Sequence, residues 1–291
     1  MTAYSPSLVS VIIPSYNHIR FIEHAMDSVF RQTHPEIELI VVDDASRDGS
    51  ADAIRAWVEK PGFRKRFHNR VIVECFVQNK GAHDALNRGL DLASGDFIAI
   101  LNSDDKYHPR RLEKMLQSLI PHGPMGFAFS RIQFVNADGD DVSARTPFTV
   151  NLIIAQDSID NFPSTGFALL KQQIAISTGN LLGSRKLFDR VGYFSSLKYC
   201  HDWNYILRCL CVTEPVYVAE TLYDYRIHGD NTFRTLASVA HLETDIVIRQ
   251  YFDSIRFGDV QNPLGPTAFN WPGIFEMYLK RFGYERLWYS P

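Results

Sequence analysis

Residues 79–105 read NKGAHDALNRGLDLASGDFIAILNSDD, and this stretch decides the fold class. Apolar residues recur at helical spacing over 82–93, and Gly95 lies just past that helix, where a C-cap glycine is expected. The apolar run FIAIL (97–101) follows as a strand and ends in the polar segment NSDD (102–105). A helix that leads directly into a buried strand is typical of an α/β sheet with crossover helices.

Three more apolar runs precede this stretch, at 8–14, 37–42 and 71–77. They are continuous rather than alternating, which predicts strands covered on both faces in a mostly parallel sheet. Asn17 offers the N-cap of the helix expected after the first strand. Ligands of such sheets bind beyond the carboxyl ends of the strands. Those strand-end segments are PSYN (14–17), DDASRDGS (43–50), QNKGAH (78–83) and NSDD (102–105).

The bulk properties narrow the class of protein. Hydrophobic residues make up 45% of the 291 residues, charged residues 22%, and the formal net charge is -3. This composition predicts a folded globular chain and no nucleic-acid partner, because a nucleic-acid-binding surface normally carries a basic excess. The N-terminal segment lacks the pattern of a signal peptide, and no apolar run reaches the length of a membrane span. We therefore expect a cytoplasmic protein, with peripheral contact at the inner face of the membrane and a homodimer left open.

The chemistry is expected in the polar strand ends. Asp104 and Asp105 are adjacent carboxylates, which repel unless a cation joins them. A divalent cation shared with a diphosphate fits this pair, whereas a solvated acidic turn is the other interpretation; the position after a buried strand favours the cation. Asp44 ends the second strand and can accept a hydrogen bond from a ribose or a base N–H. Arg88 could reach a diphosphate, although a lone arginine is more typical of a solvated surface.

In order and spacing, several segments together resemble the inverting family 2 glycosyltransferases of the GT-A fold. The resembling segments are VSVIIPSYN (9–17), IELIVVDDASRDGS (37–50), residues 79–105, GNLLGSRKLFDRVGYF (179–194), HDWNYILR (201–208) and YRIHGDN (225–231). The resemblance implies a Rossmann-like nucleotide-sugar-binding fold, which fits the parallel sheet expected above.

The resemblance also implies roles for matched residues only. Pro14, Tyr16, Asp44, Arg88, Ser103 and Asp104 would bind the nucleotide-sugar donor, with Asp44 at the base, typically uracil. Asp104, Asp105 and His228 would lie at a Mg²⁺ or Mn²⁺ site. Asp202 would be the general base that takes the proton of the acceptor hydroxyl, and a single displacement would invert the anomeric centre.

Two residues depart from the family pattern. Asn102 replaces the first Asp of the metal motif, and His201 replaces the Glu that usually precedes the base. These departures motivate an alternative, a catalytically silent sugar-nucleotide-binding or scaffold protein. A sugar nucleotidyltransferase and a dinucleotide-binding oxidoreductase are disfavoured because no Gly-rich turn follows the first strand.

The expected domain organisation follows from these segments. Residues 1–231 form the glycosyltransferase domain, with a nucleotide-binding half at 1–105 and an acceptor-binding half at 106–231. Residues 232–291 carry two helical patterns and form a C-terminal helical extension outside the catalytic core, for which packing back onto its own domain is the favoured use. The acceptor is expected to be a glycan or lipid-linked glycan, from the family alone.

Overall fold

The computed structural model describes residues 7–229 and 237–289. Its first half alternates strand and helix as expected. The elements of this half are β1 Val9–Ser15, α1 Ile22–Phe30, β2 Ile37–Asp43, α2 Ser50–Val58, α3 Phe63–Arg66, β3 Val71–Cys75, α4 Ala82–Leu92 and β4 Phe97–Ile100. These four strands run parallel in the order β3-β2-β1-β4, and the residues of β1 and β2 are nearly all buried. The continuous apolar runs therefore form the expected sheet, covered on both faces.

The second half extends the same sheet with strands of both directions. Its elements are β5 Lys106–Tyr107, α5 Arg111–Leu119, β6 Phe127–Val135, α6 Pro147–Asp157, α7 Thr165–Lys171, β7 Leu182–Ser184, α8 Arg185–Val191, α9 His201–Val212 and β8 Val216–Arg226. The full order is β3-β2-β1-β4-β7-β6-β8-β5. Strand β7 is antiparallel to β4 and β6, β6 is parallel to β8, and β5 is antiparallel to β8. The sheet is therefore mostly parallel, with antiparallel strands added in the second half.

Three helices follow, α10 Ala237–Arg256, α11 Ile274–Phe282 and α12 Glu285–Tyr289. Their apolar side chains are buried together with those of α7 and α9 in one group, which we call the C-terminal cluster. Its principal members are Phe167, Leu170, Trp203, Leu207, Leu210, Val247, Ile248, Tyr251, Phe252, Phe275, Tyr278, Leu279 and Leu287. The C-terminal helices thus share a buried apolar cluster with α7 and α9. The expected boundary between residues 231 and 232 lies outside the described residues.

Two local expectations were wrong. Helix α1 begins at Ile22 rather than after Asn17, because Asn17 adopts a left-handed backbone and its side-chain oxygen accepts the N–H of Arg47. Gly95 does not cap α4. Instead it lies against β1, where an added Cβ would come within 2.7 Å of the Leu8 carbonyl oxygen.

Across the described ranges 7–229 and 237–289, none of the helices combines the length and apolar character required to cross a lipid bilayer.

Candidate active site

The carboxyl ends of β1, β2 and β4 open into a cleft of about 1250 Å³. Its walls combine the strand-end segments of the first half with residues 172–173, 176–178 and 196–203 of the second. Among the residues predicted from the sequence, those that line this cleft are Pro14, Tyr16, Asp44, Ser103, Asp104 and Asp202. Five of the six expected donor-binding residues, all but Arg88, therefore meet the expected base in one cleft.

The carboxylate of Asp44 organises the turn that precedes α4. It accepts the backbone N–H of Lys80 at 2.7 Å, the N–H of Gly81 at 2.8 Å and the side-chain amide of Asn79 at 2.9 Å. Asp44 is only 2% exposed. Its carboxylate thus fixes the 79–81 segment, which itself lines the cleft.

Asp104 lies between two histidines. His228 donates from Nε2 to the Asp104 carboxylate at 3.0 Å, and His18 Nε2 lies 4.0 Å from the same oxygen. The other ring nitrogen of His18 is 2.7 Å from the Ser103 hydroxyl, which orients the ring. Burial acts to raise the pKa of Asp104, but the hydrogen bond and charge of His228 and the charge of His18 outweigh it, and the net effect lowers that pKa.

This group has the composition of a metal site. One ligand atom each from His18, Asp104 and His228 lies within 4.8 Å of the others. Two imidazoles and one carboxylate suit a divalent transition ion, whereas Mg²⁺ takes mostly oxygen ligands. The residues therefore fit a divalent cation.

Asp105, expected at the metal site, has a different environment. Its carboxylate accepts the Tyr223 hydroxyl at 2.5 Å and the backbone N–H of Arg226 at 2.7 Å, and it is 1% exposed. Burial and the neighbouring Asp104 charge raise the pKa of Asp105 well above its ordinary value. The structure groups His18, rather than Asp105, with Asp104 and His228.

Arg226 holds the backbone of the metal motif in place. Its Nε donates to the carbonyl oxygen of Asp104, and its Nη1 donates to the carbonyl oxygens of Asn136 and Ala137, each at 2.8 Å. The guanidinium also lies over the Phe21 ring, 4.9 Å from its centroid. Arg226 is 2% exposed, so this buried cation positions Asp104 without reaching the cleft surface.

Asp202 stands in the first turn of α9 and faces the cleft. Gln173 donates to one carboxylate oxygen at 2.6 Å, and the backbone N–H of Trp203 donates to the other at 2.6 Å. Burial raises the pKa of Asp202, while the neighbouring His201 charge opposes this shift. Burial lowers the pKa of His201 itself, and its Nε2 lies 3.3 Å from the Thr178 hydroxyl. A buried carboxylate with a raised pKa is a suitable proton acceptor near neutral pH.

The model of the glycosyl transferase family 2 matches residues 10–192, which carry β1 to β4, the metal motif and α8. The chain belongs to glycosyl transferase family 2. The family expected from the resembling segments is thereby confirmed.

Individual relatives agree with this family. The chain is 37% identical over 139 residues to "Putative teichuronic acid biosynthesis glycosyltransferase TuaG" of Bacillus subtilis, covering 48% of this chain and 52% of that protein. It is 28% identical over 233 residues to "Uncharacterized glycosyltransferase alr2836" of Nostoc sp., covering 79% and 68%. The chain therefore spans only about half the length of TuaG.

Solved structures show the same fold at low identity. S. aureus TarS 1–349 in complex with UDP-GlcNAc superposes with a TM-score of 0.63 at 19% identity, over 84% of this chain and 66% of that one. Mannosyltransferase PcManGT from Pyrobaculum calidifontis, in complex with GDP-Man and Mn²⁺, gives 0.64 at 17% identity over 97% and 74%. These likenesses confirm the GT-A fold.

One expected donor contact of this family 2 chain lies elsewhere. Arg88 makes a two-pronged ion pair with Glu74, with both distances at 2.8 Å, and is not among the residues that line the cleft. Conversely, sequence reasoning missed His18 and Arg226. Their only signal was position, because His18 directly follows the resembling segment 9–17 and Arg226 lies inside the segment 225–231.

Proposed function

We propose that this chain transfers a sugar from a nucleoside diphosphate sugar, with UDP as the nucleotide, to a hydroxyl acceptor with inversion. The observation that carries the proposal is a single cleft lined by Asp104, which is grouped with His18 and His228, and by the buried carboxylate of Asp202. Belonging to glycosyl transferase family 2 supports the reaction class. Teichuronic acid in the name of TuaG supports a surface polysaccharide or lipid-linked glycan as the acceptor.

On the donor side, this chain's residues would bind and orient the nucleotide. Pro14, Tyr16 and the 79–81 turn held by Asp44 would enclose the nucleoside. His18, Asp104 and His228 would hold Mn²⁺, which when bound supplies positive charge beside the departing diphosphate. Because Arg88 is paired with Glu74 outside the cleft lining, we leave it out of the proposed donor site.

On the acceptor side, Asp202 would take the proton of the attacking hydroxyl. The acceptor oxygen forms a bond to the anomeric carbon as the bond from that carbon to the diphosphate oxygen breaks. The electron pair of the broken bond leaves with the nucleoside diphosphate, and the proton resides on Asp202. Gln173 keeps the carboxylate in its orientation through the 2.6 Å hydrogen bond.

A thermal-shift panel tests this proposal first. UDP and UDP-sugars should raise the melting temperature in Mn²⁺ more than in EDTA, and more than GDP or GDP-mannose. Asp104→Ala should abolish the Mn²⁺-dependent part of the rise in melting temperature. The control is Asp138→Ala, which should leave that part unchanged because Asp138 is exposed in the turn after β6. UDP release from UDP-sugars in an acceptor screen then reports turnover.

The alternative functions give different results. Metal-dependent UDP-sugar binding without hydrolysis or transfer to any acceptor would favour a catalytically silent binding protein. A preference for GDP would overturn the choice of nucleotide. Equal binding with and without Mn²⁺ would overturn the metal site.

A further inference from the structure

The segment that leads into α9 forms one wall of the cleft. Residues 196–203 all line it, and they include Asp202. Helix α9 begins at His201, and its N-cap residue, Cys200, makes no side-chain capping hydrogen bond. The first N–H groups of a helix and of the turn before it have no intrahelical partners and require acceptors from elsewhere.

Glu243 supplies those acceptors from a distant part of the chain. Its carboxylate accepts the backbone N–H groups of Lys198 at 2.9 Å, Tyr199 at 2.8 Å and Cys200 at 2.9 Å. Three successive N–H groups that converge on one anion form a nest, and hydrogen bonds to a charged acceptor are among the stronger ones in proteins. Burial acts to raise the pKa of Glu243, but these three hydrogen bonds outweigh it and lower that pKa, so the carboxylate is ionised at neutral pH.

The element that carries Glu243 is itself firmly placed. Glu243 belongs to α10, whose Val247, Ile248, Tyr251 and Phe252 lie in the C-terminal cluster beside Trp203 and Leu207 of α9. Asn204 of α9 also donates to Gln250 of α10 at 2.6 Å. The next residue along, Thr244, lines the cleft directly. Helix α10 is therefore packed along α9 and reaches the wall that carries the proposed base.

We propose that Glu243 is a positioning residue for the transfer step, because it fixes residues 198–200 and the start of α9 so that Asp202 faces the acceptor. This inference rests on the proposed function, since only a transferase requires Asp202 in a productive orientation. Glu243 has no hydrogen bond to the Asp44 turn or to the His18, Asp104 and His228 group in the described residues. Its loss therefore affects turnover and leaves donor binding unchanged.

Glu243→Gln is the informative variant. The side-chain shape is kept, but only one of its two terminal atoms can accept, so at least one of the three N–H groups faces another donor. Glu276→Gln is the matched control, because Glu276 is exposed on α11 of the same C-terminal region. Glu243→Asp, which keeps the charge on a shorter side chain, serves as a milder second variant should Glu243→Gln fold poorly.

Hydrogen exchange and kinetics are measured together. In Glu243→Gln, the amides of residues 198–200 should exchange about tenfold faster than in the parent, the range for a lost hydrogen bond to a buried group. With UDP-sugar saturating, kcat should fall about 10- to 100-fold, since small misplacements of a reacting group have effects of that size. The KM for the donor and the Kd for UDP should stay within about twofold, and Glu276→Gln should match the parent throughout.

The outcomes separate the two proposals. Faster exchange with unchanged kcat would overturn the positioning role while leaving the proposed function standing. Equal losses in kcat and UDP affinity, with a lower melting temperature, would show a general structural role and would also overturn it. A parent protein that neither binds nor turns over UDP-sugars would instead defeat the proposed function, and the inference with it, whatever the exchange rates at 198–200.

Discussion

Replacing Asp202 by Asn removes the proposed proton acceptor and disrupts the hydrogen bond that Gln173 donates to it. The backbone N–H of Trp203 can keep the remaining side-chain oxygen as its acceptor. The new NH₂ group then meets the NH₂ group of Gln173, which now donates to Asp202 at 2.6 Å. Gln173 cannot turn its amide without losing the contact of its oxygen with the backbone N–H of Ile176.

These contacts set the expected magnitudes. A lost hydrogen bond to a charged group corresponds to about 1.5–3 kcal/mol of folding free energy, and removal of the charge whose burial raises the pKa of Asp202 offsets part of that loss. For a chain of this size the fall in melting temperature should therefore be at most roughly 12 °C. The transfer step should be affected more strongly. General-base catalysis contributes about 10²–10⁴-fold to the rate, so kcat should fall by that factor. UDP affinity should change little, since the nucleotide is proposed to bind at Pro14, Tyr16 and the 79–81 turn, away from Asp202.

Initial rates of UDP release at saturating donor, measured below the melting temperature of the variant, give kcat; calorimetry gives the Kd for UDP. Gln173→Met is the matched control, because it removes this hydrogen bond, together with the one from the Ile176 N–H, but keeps the carboxylate of Asp202. It should lower the melting temperature at least as much while kcat falls less than about tenfold. If Asp202→Asn kept kcat within about threefold of the parent, or if the product retained the donor's anomeric configuration, the assignment of Asp202 as the base in a single displacement would be refuted.

Four further predictions concern the site and its surroundings. His18→Ala should weaken Mn²⁺ binding at least about tenfold in EPR titrations, because it removes one of three candidate ligands; unchanged affinity would exclude His18 from the metal site. The rate should rise with pH through the raised pKa of Asp202, because only the ionised carboxylate accepts a proton, and activity is lost below that pKa. Within residues 7–229 and 237–289, the titratable groups that interact electrostatically with Asp202 include His201, Tyr199, Cys200 and Tyr225. His201→Glu should shift the acidic limb of the rate profile to higher pH, because a second carboxylate disfavours ionisation of Asp202; a shift to lower pH would contradict this. Truncation after residue 231 should abolish cooperative thermal unfolding, because it exposes the α7 and α9 part of the C-terminal cluster; a sharp calorimetric transition would contradict this.

The sequence predicted the cleft because the pattern that marks a buried parallel strand also fixes where its polar end lies. Asp44 and Asp104 follow apolar runs directly, and parallel strands bring their carboxyl ends to one edge. The same pattern could not predict which of the two adjacent carboxylates, Asp104 or Asp105, joins the histidines at the candidate metal site. It depends on Tyr223 and Arg226, about 120 residues further along the chain, which bind Asp105 and leave Asp104 to the histidines.

The role of the C-terminal helices was beyond prediction for a similar reason. Their apolar faces predict packing against something but do not identify the partner. A single glutamate in a helix is ordinarily a solvated charge, so Glu243 carries no signal of its own. Its function emerges only when α10 lies along α9 and brings the carboxylate to the N–H groups of residues 198–200.

The two departures from the family pattern meet at one place. Asn102 donates from its amide to the Ser177 hydroxyl oxygen at 3.0 Å, and His201 contacts the adjacent Thr178. Ser177 also accepts the N–H of Gly179 at 3.1 Å, so its own hydrogen is available for the Tyr223 hydroxyl at 3.2 Å.

This arrangement requires a donor at position 102. Tyr223 in turn donates to Asp105, so the chain from Asn102 through Ser177 and Tyr223 runs in one direction and ends on the buried carboxylate. An aspartate at position 102 would compete for the Ser177 proton and place a further negative charge near Asp104 and Asp105, which already repel each other. With His18 beside Asp104, the site loses a carboxylate but keeps three candidate metal ligands. The replacements are thus accommodated without disturbing Asp104 or Asp202, which favours an active enzyme over a silent binding protein.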